Sequence, residues 1–178
     1  VYKRQEDAYQ NLKNIIDESV VHGSTLKIRG GSECVCFSEA PLSSLKDGLL
    51  NPSFYSSYSP FGIITTKEHI YNLGGRPVIY QTESEYAQLS ADNSWRHMRY
   101  EPPEIDFTWE REWRLKTDGY HFNPEDTQII LPNNETAQRL IEEHDSEQEW
   151  QTLQYSQIMD ESFAIQYEEP FPWVIRLL

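Results

Sequence analysis

Residues 107–115 read Phe-Thr-Trp-Glu-Arg-Glu-Trp-Arg-Leu. As a β-strand this run alternates. Trp109, Arg111, Trp113 and Leu115 fall on one face, and Thr108, Glu110, Glu112 and Arg114 on the other. A fold that accepts such a strand must give the tryptophan face a core to pack on. The opposite face then carries two carboxylates about 7 Å apart along the strand. Like charges that close repel, which raises the pKa of one of them. The face is therefore either a solvated strand surface held by ion pairs or a site that uses a carboxylate pair. Arg111, on the tryptophan side, is expected to pair with an acid such as Glu39 or Glu68, because an unpaired buried charge is costly.

The rest of the pattern points to an α+β chain. Residues 1–4 read as a short opening strand. Residues 6–20 read as a helix, with Ala8, Leu12, Ile15, Ile16 and Val20 at three- and four-residue spacing and Gly23 beyond as a stop. Short strands are predicted over residues 26–29, 34–37, 62–66, 77–80, 127–131 and 171–178. Small helices are expected over 42–48, 67–73 and 84–90, and one capped by Asn134 over 134–143. Residues 91–104 read as irregular, and 117–119 as a turn. Residues 51–60 hold two Pro, four Ser and two Tyr, a loop long enough to cover a site. Helix first, then many short strands with small helices between them, predicts a single α+β domain over residues 1–178 with a short-stranded split-sheet core and peripheral helices.

Composition excludes several function classes. Twenty-nine acids against 15 Lys and Arg give a formal charge of −14, which disfavours a broad electrostatic footprint on nucleic acid or on an anionic membrane. Residues 142–169 carry nine acids and no Lys or Arg, and read as a solvated face. No run approaches the ~20 apolar residues of a membrane span, and no basic segment followed by an apolar run opens the chain as a signal peptide would. Cys34 and Cys36 at i, i+2 are poorly placed to bond each other, so a reduced, cytoplasmic protein is expected. Without a second cysteine pair, and with His22, His69, His97, His121 and His144 lacking helical metal-ligand spacing, no metal is expected. No Gly-x-Ser-x-Gly elbow, P-loop or Gly-x-Gly-x-x-Gly occurs, so any dinucleotide site would not be of the Rossmann type.

Four segments in order carry a resemblance. They are Cys36-Phe37-Ser38-Glu39-Ala40-Pro41-Leu42, then Tyr58-Ser59-Pro60-Phe61-Gly62-Ile63 with Lys67-Glu68, then Gly75-Arg76-Pro77-Val78-Ile79-Tyr80, and finally Glu110-Arg111-Glu112-Trp113-Arg114. Together they resemble the AbiGi-type abortive phage resistance proteins and related bacterial domains, over about residues 1–132. A more remote resemblance, in order and residue type, is to ADP-ribosyltransferases. Tyr2-Lys3-Arg4 stands where their opening strand would be, Cys36-Phe37-Ser38 where their second element would be, and Glu110-x-Glu112 where their late catalytic strand would be. A Lys-Arg pair stands near the place of the usual His.

The resemblance implies an NAD-using toxin or effector of an anti-phage or toxin–antitoxin system, acting on a protein or nucleic-acid acceptor. In that reading Glu112 is the catalytic carboxylate that stabilises the positive charge developing on ribose. Glu110 orients or deprotonates the acceptor. Arg4 holds the dinucleotide, with Arg29 and Arg76 as alternative phosphate contacts. Ser38 hydrogen-bonds ribose, and Tyr58 and Phe61 stack on nicotinamide. Replacing Glu112 by Gln is then expected to abolish activity and leave the fold intact. The competing expectation is a non-enzymatic, antitoxin-like interaction protein that uses the acidic residues 142–169 and has an open, solvated Glu110/Glu112 face.

Overall fold

The computed structural model describes the backbone of residues 2–46 and 58–178, and their side chains except those of 2–4, 45, 46, 161 and 162. The predicted covering loop therefore lies largely outside the described residues. In chain order the elements are α1 (Tyr2–Glu18), β1 (Val20–His22), β2 (Cys34–Ser38), α2 (Leu42–Lys46), β3 (Gly62–Thr65), α3 (Lys67–Asn72), β4 (Arg76–Pro77) and β5 (Ile79–Gln81). There follow α4 (Glu83–Tyr86), β6 (His97–Arg99), β7 (Glu112–Lys116), β8 (Gly119–His121), β9 (Thr127–Leu131), α5 (Asn134–Tyr155), α6 (Glu161–Ala164) and β10 (Ile175–Leu177). The expectation of a mixed chain of helices and short strands is met.

The described strands form four small sheets. β7 is the centre of one, antiparallel to β2 on one side and to β4 on the other. β9 is the centre of a second, antiparallel to β3 and parallel to β10. β1 pairs with β8, and β5 runs parallel to β6. One core joins the sheets of β7, of β9 and of β1 with β8: Tyr9, Leu12 and Ile16 of α1 meet Val35, Leu115, Ile129, Leu131, Leu140 and Trp173. Arg139 also lies over the Tyr9 ring, its carbon 4.0 Å from the ring centroid, and ties α5 to α1.

Several predicted boundaries are corrected. No strand opens the chain, because residues 2–4 already belong to α1. Nothing among them breaks a helix, and extending an existing helix costs far less than starting one. The helix stops before Val20: Ser19 turns left-handed at φ +52, its N–H donating to the Ile16 carbonyl at 3.1 Å. That frees residues 20–22 for β1, although the apolar spacing places Val20 in the helix. Residues 26–29 form no strand. Lys27 has φ +61, and a 3-10 turn over Arg29–Gly31 holds Gly30 at φ +74. A Cβ on Gly30 would lie 2.2 Å from the Ser94 hydroxyl oxygen, so only glycine fits there. Strand β6 arises within the stretch read as irregular, β8 beyond the turn at 117–119, and α5 runs to Tyr155 rather than ending at residue 143.

The correction with most consequence concerns residues 107–115, which are not one strand. Thr108–Glu110 form a 3-10 turn, Arg111 is left-handed at φ +46, and the strand begins only at Glu112. The local cause is Asp106. Its Oδ1 accepts from the Thr108 N–H at 2.9 Å and from the Thr108 hydroxyl at 2.6 Å. An aspartate that captures its own chain two residues on offers the backbone a turn in place of a ladder. From Glu112 onward the alternation holds. Trp113 and Leu115 join the side of the main core with Phe37 and Val35, while Glu112 and Arg114 face the other way.

Candidate functional site

The polar face of β7 is buried, contrary to the open, solvated face that the competing, non-enzymatic reading expects. Glu112 is 7% exposed and Arg114 only 1%. Residues 95–97, the end of the turn before β6 and the first residue of that strand, cover this face: Arg114 Nη1 donates to the Trp95 carbonyl at 2.6 Å and to the His97 carbonyl at 3.0 Å. Its Nε donates to Glu112 Oε1 at 2.7 Å and its Nη2 to Oε2 at 3.4 Å. A guanidinium with its fork on a carboxylate and its remaining donors on carbonyls can be buried without an orphan charge. On the neighbouring edge strand, Cys36 stands opposite Arg114 and Ser38 opposite Glu112. Partial desolvation, with the adjacent Glu112 carboxylate, pushes the Cys36 thiol up to about 12. Although Cys36 is exposed by area, this shift keeps its thiol protonated at neutral pH and makes it a poor nucleophile.

Glu110 meets a different environment two residues upstream. Its carboxylate accepts from the Tyr58 hydroxyl at 3.1 Å, and its backbone carbonyl accepts from the Ser38 hydroxyl at 2.7 Å. Burial lifts the Glu110 carboxyl above the usual range, and the charge of Glu112 adds to the rise while the Tyr58 bond opposes it. Trp109 stands edge-on to the Tyr58 ring, centroids 6.4 Å apart. Its buried indole N–H has no partner among the described residues. Tyr80 supports the turn from beneath, donating to the Phe107 carbonyl at 3.1 Å and receiving the Glu112 N–H at 3.4 Å.

Beside this group opens a cavity of about 540 Å³, the size of a small-ligand pocket. Its walls are mainly apolar and include Leu12, Val35, Phe37, Ile63 and Trp113, with Ser38, Tyr58 and Phe61 among the lining residues. At one side Lys67 Nζ lies 2.7 Å from Glu39 Oε1, and Trp113 Nε1 donates to Glu39 Oε2 at 2.9 Å. The Lys67 contact holds the Glu39 carboxyl below the usual range. Arg111 adds positive charge near Glu39 and is exposed. Among the described residues it makes no ion pair, so the pairing expected of it on a buried tryptophan face is not formed.

The residues singled out from sequence thus divide. Ser38, Tyr58 and Phe61 share the cavity, and Glu110 is bonded to two of them. Glu112 is close by but commits both oxygens to Arg114. Arg4 sits on α1, and its side chain lies outside the described residues. Arg29 and Arg76 are already engaged: Arg29 pairs with Glu83, and Arg76 donates to the Tyr71 and Gly75 carbonyls at 3.0 and 2.7 Å while lying over the Tyr71 ring. The sequence pattern placed Arg114 on the face of Glu112 as an ion-pairing partner but did not show that the pair is buried, and it gave no site role to Lys67 or Trp109. Among the described residues no cluster of His, Cys, Asp and Glu could hold a metal ion, and no helix is long and apolar enough to cross a membrane. No family model matches the chain, and neither the curated proteins nor the solved structures contain a match to it.

Proposed function

We propose that the protein is an ADP-ribosyltransferase-like effector that uses NAD to modify a protein or nucleic-acid acceptor, with Glu110 rather than Glu112 as the carboxylate that meets the reactants. The observation that carries this reading is the Tyr58–Glu110 pair beside an aromatic-lined cavity of about 540 Å³. The cavity suits a flat ring, with Tyr58 and Phe61 as stacking surfaces and the Ser38 hydroxyl for a ribose. Arg111, exposed and without an ion pair among the described residues, replaces Arg4 as the cation that meets the diphosphate.

In the transfer, the bond from ribose C1 to the nicotinamide nitrogen breaks and its electron pair leaves on nicotinamide. The acceptor supplies the pair for the new bond and gives its proton to Glu110. A carboxyl raised by burial is better matched to that base role at neutral pH than an ordinary glutamate. Glu112 acts as a positioning residue: with Arg114 it fixes the start of β7 and so the turn that presents Glu110. The raised carboxyl also sets the sign of the stability effect. Ionised Glu110 is disfavoured in the folded state, so its cost is full above the folded pKa, shrinks as pH falls through it, and is gone by about 4.5, the unfolded value. A neutral Gln therefore fits without loss of stability at pH 7.

The test is NAD hydrolysis and transfer by wild type, Glu110→Gln and Tyr58→Phe. Glu110→Gln is expected to lower turnover about a hundredfold or more with an unchanged melting temperature, and Tyr58→Phe about tenfold. Wild-type turnover by Glu110→Gln sinks the assignment, as does wild-type protein that neither binds nor consumes NAD.

A further inference from the structure

The second half of α5 and the chain that returns along it form an acidic arm with an uncovered apolar surface. Over its 22 residues α5 is about 33 Å long. Its first half is in the core through Ala137 and Leu140. Lys13 of α1 still reaches Glu147 at 3.0 Å. Along α5 the returning chain supplies further anchors. Tyr155 meets Tyr167 with centroids 5.7 Å apart, the Glu169 N–H donates to Gln148 Oε1 at 3.1 Å, and His144 meets Phe171 edge-on at 5.4 Å. The chain then re-enters the core at Trp173 and adds β10 to β9.

This arm leaves large side chains in water. Trp150 is 60% exposed and Ile158 80%, and Leu153, Phe163, Ile165 and Tyr167 each leave half or more of their surface uncovered. Single exposed apolar residues are ordinary, but six within 18 residues of one small subdomain mark an interaction surface. The same stretch, residues 142–169, carries nine acids and no Lys or Arg. Charge decides among occupants. A second copy would bring nine more acids against these nine, and an anionic lipid surface would repel them.

We infer that the arm docks a basic amphipathic helical segment of a partner protein, its apolar side seated on Trp150, Leu153 and Phe163 and its lysines or arginines on the surrounding carboxylates. Apolar anchors inside a charged rim give such contacts their affinity, and the charges give encounter rate and register. The arm shares no residue with the lining of the cavity beside Glu110, so this inference stands or falls separately from the NAD reading.

The experiment is fluorescence anisotropy of the full chain with two labelled peptides, one an amphipathic helix of lysine and leucine faces, the other oligolysine of equal charge. The amphipathic peptide is expected to bind at least about tenfold tighter than oligolysine, with affinity falling as salt rises. Trp150→Ala with Phe163→Ala is expected to weaken it about tenfold, and Glu149→Lys with Glu168→Lys to weaken it and flatten the salt dependence. All four positions are exposed, so the variants fold. Equal binding of the two peptides, or indifference to the Trp150/Phe163 change, overturns the proposal. Self-association that Trp150→Ala abolishes, or adhesion to anionic phosphatidylserine vesicles, also overturns it by assigning the arm another occupant.

Discussion

Two groups of carboxylates in this protein have opposite fates. Glu112 lies behind the central strand of a sheet, 7% exposed, locked to an arginine that is itself 1% exposed. The acids of the arm at residues 142–169 have no Lys or Arg within their own stretch, and most stand in solvent. The same functional group is structural in the first place and a surface property in the second. What separates them is the loss of water: a carboxylate withdrawn from solvent must be matched atom for atom, whereas a solvated one need not be matched at all. Glu110 sits between these extremes, partly desolvated and matched by a neutral tyrosine.

Breaking the buried pair has the largest expected effect. Glu112→Ala leaves Arg114 charged and buried without its carboxylate, and is expected to cost about 3–5 kcal/mol in denaturant unfolding. The double change Glu112→Leu with Arg114→Met is expected to recover most of that loss, because an apolar pair of similar volume needs no matching. The sequence-based expectation that Glu112→Gln leaves the fold intact is corrected accordingly. Gln keeps the shape but not the charge opposite Arg114, so a measurable loss of stability accompanies any loss of activity.

Helix α5 contains the same contrast within one element. Leu140 is 4% exposed and Leu153 61%. Leu140→Ala is expected to cost about 2–5 kcal/mol, and Leu153→Ala to stay within about 0.5 kcal/mol. Similar losses at both sites would show that the arm is covered in the free protein. A smaller effect is expected at Asp106, whose carboxylate holds the turn that separates Glu110 from β7. Asp106→Ala should cost about 1 kcal/mol and reduce turnover more than stability, read by comparing rates with melting curves.

The smallest effect concerns an exposed ion pair. Arg139 donates to Glu6 at 2.8 and 2.9 Å and holds its carboxyl at about 2. A depressed carboxyl contributes stability above its unfolded value of 4.5, and that contribution is lost as pH falls from about 4.5 to 2. Both groups are solvated, so the loss is slight. Glu6→Gln is expected to flatten it in acid titrations followed by circular dichroism.

Much of the architecture was legible because it rests on local pattern. Leu12 and Ile16 gave away α1, β-branched runs gave away β3 and β9, and Asn133 with Thr136 capped α5 one residue from the predicted start. Strands β1, β6 and β8 were not legible. Each is three residues long, and each exists because a distant segment offers it hydrogen bonds. At the site, the grouping of Ser38, Tyr58 and Phe61 agreed with the cavity. The assumption of an unbroken strand through Glu110 did not hold, because period-two alternation and a turn begun by Asp106 predict different backbones for the same residues.

The sequence by itself determined the class of the fold, the apolar side of β7 with Trp113 and Leu115, the acidity of the C-terminal region, and the absence of any recognisable metal, P-loop or Rossmann pattern. These depend on residue spacing and on charge, which need no partner to be read. Only the tertiary structure decided which face of β7 loses water. Residues 95–97 close over Glu112 and Arg114 from nearly twenty positions away, and Asp106 turns the chain so that Glu110 faces Tyr58 instead. Burial is a property of what arrives on the other side, and no strand carries that information within itself.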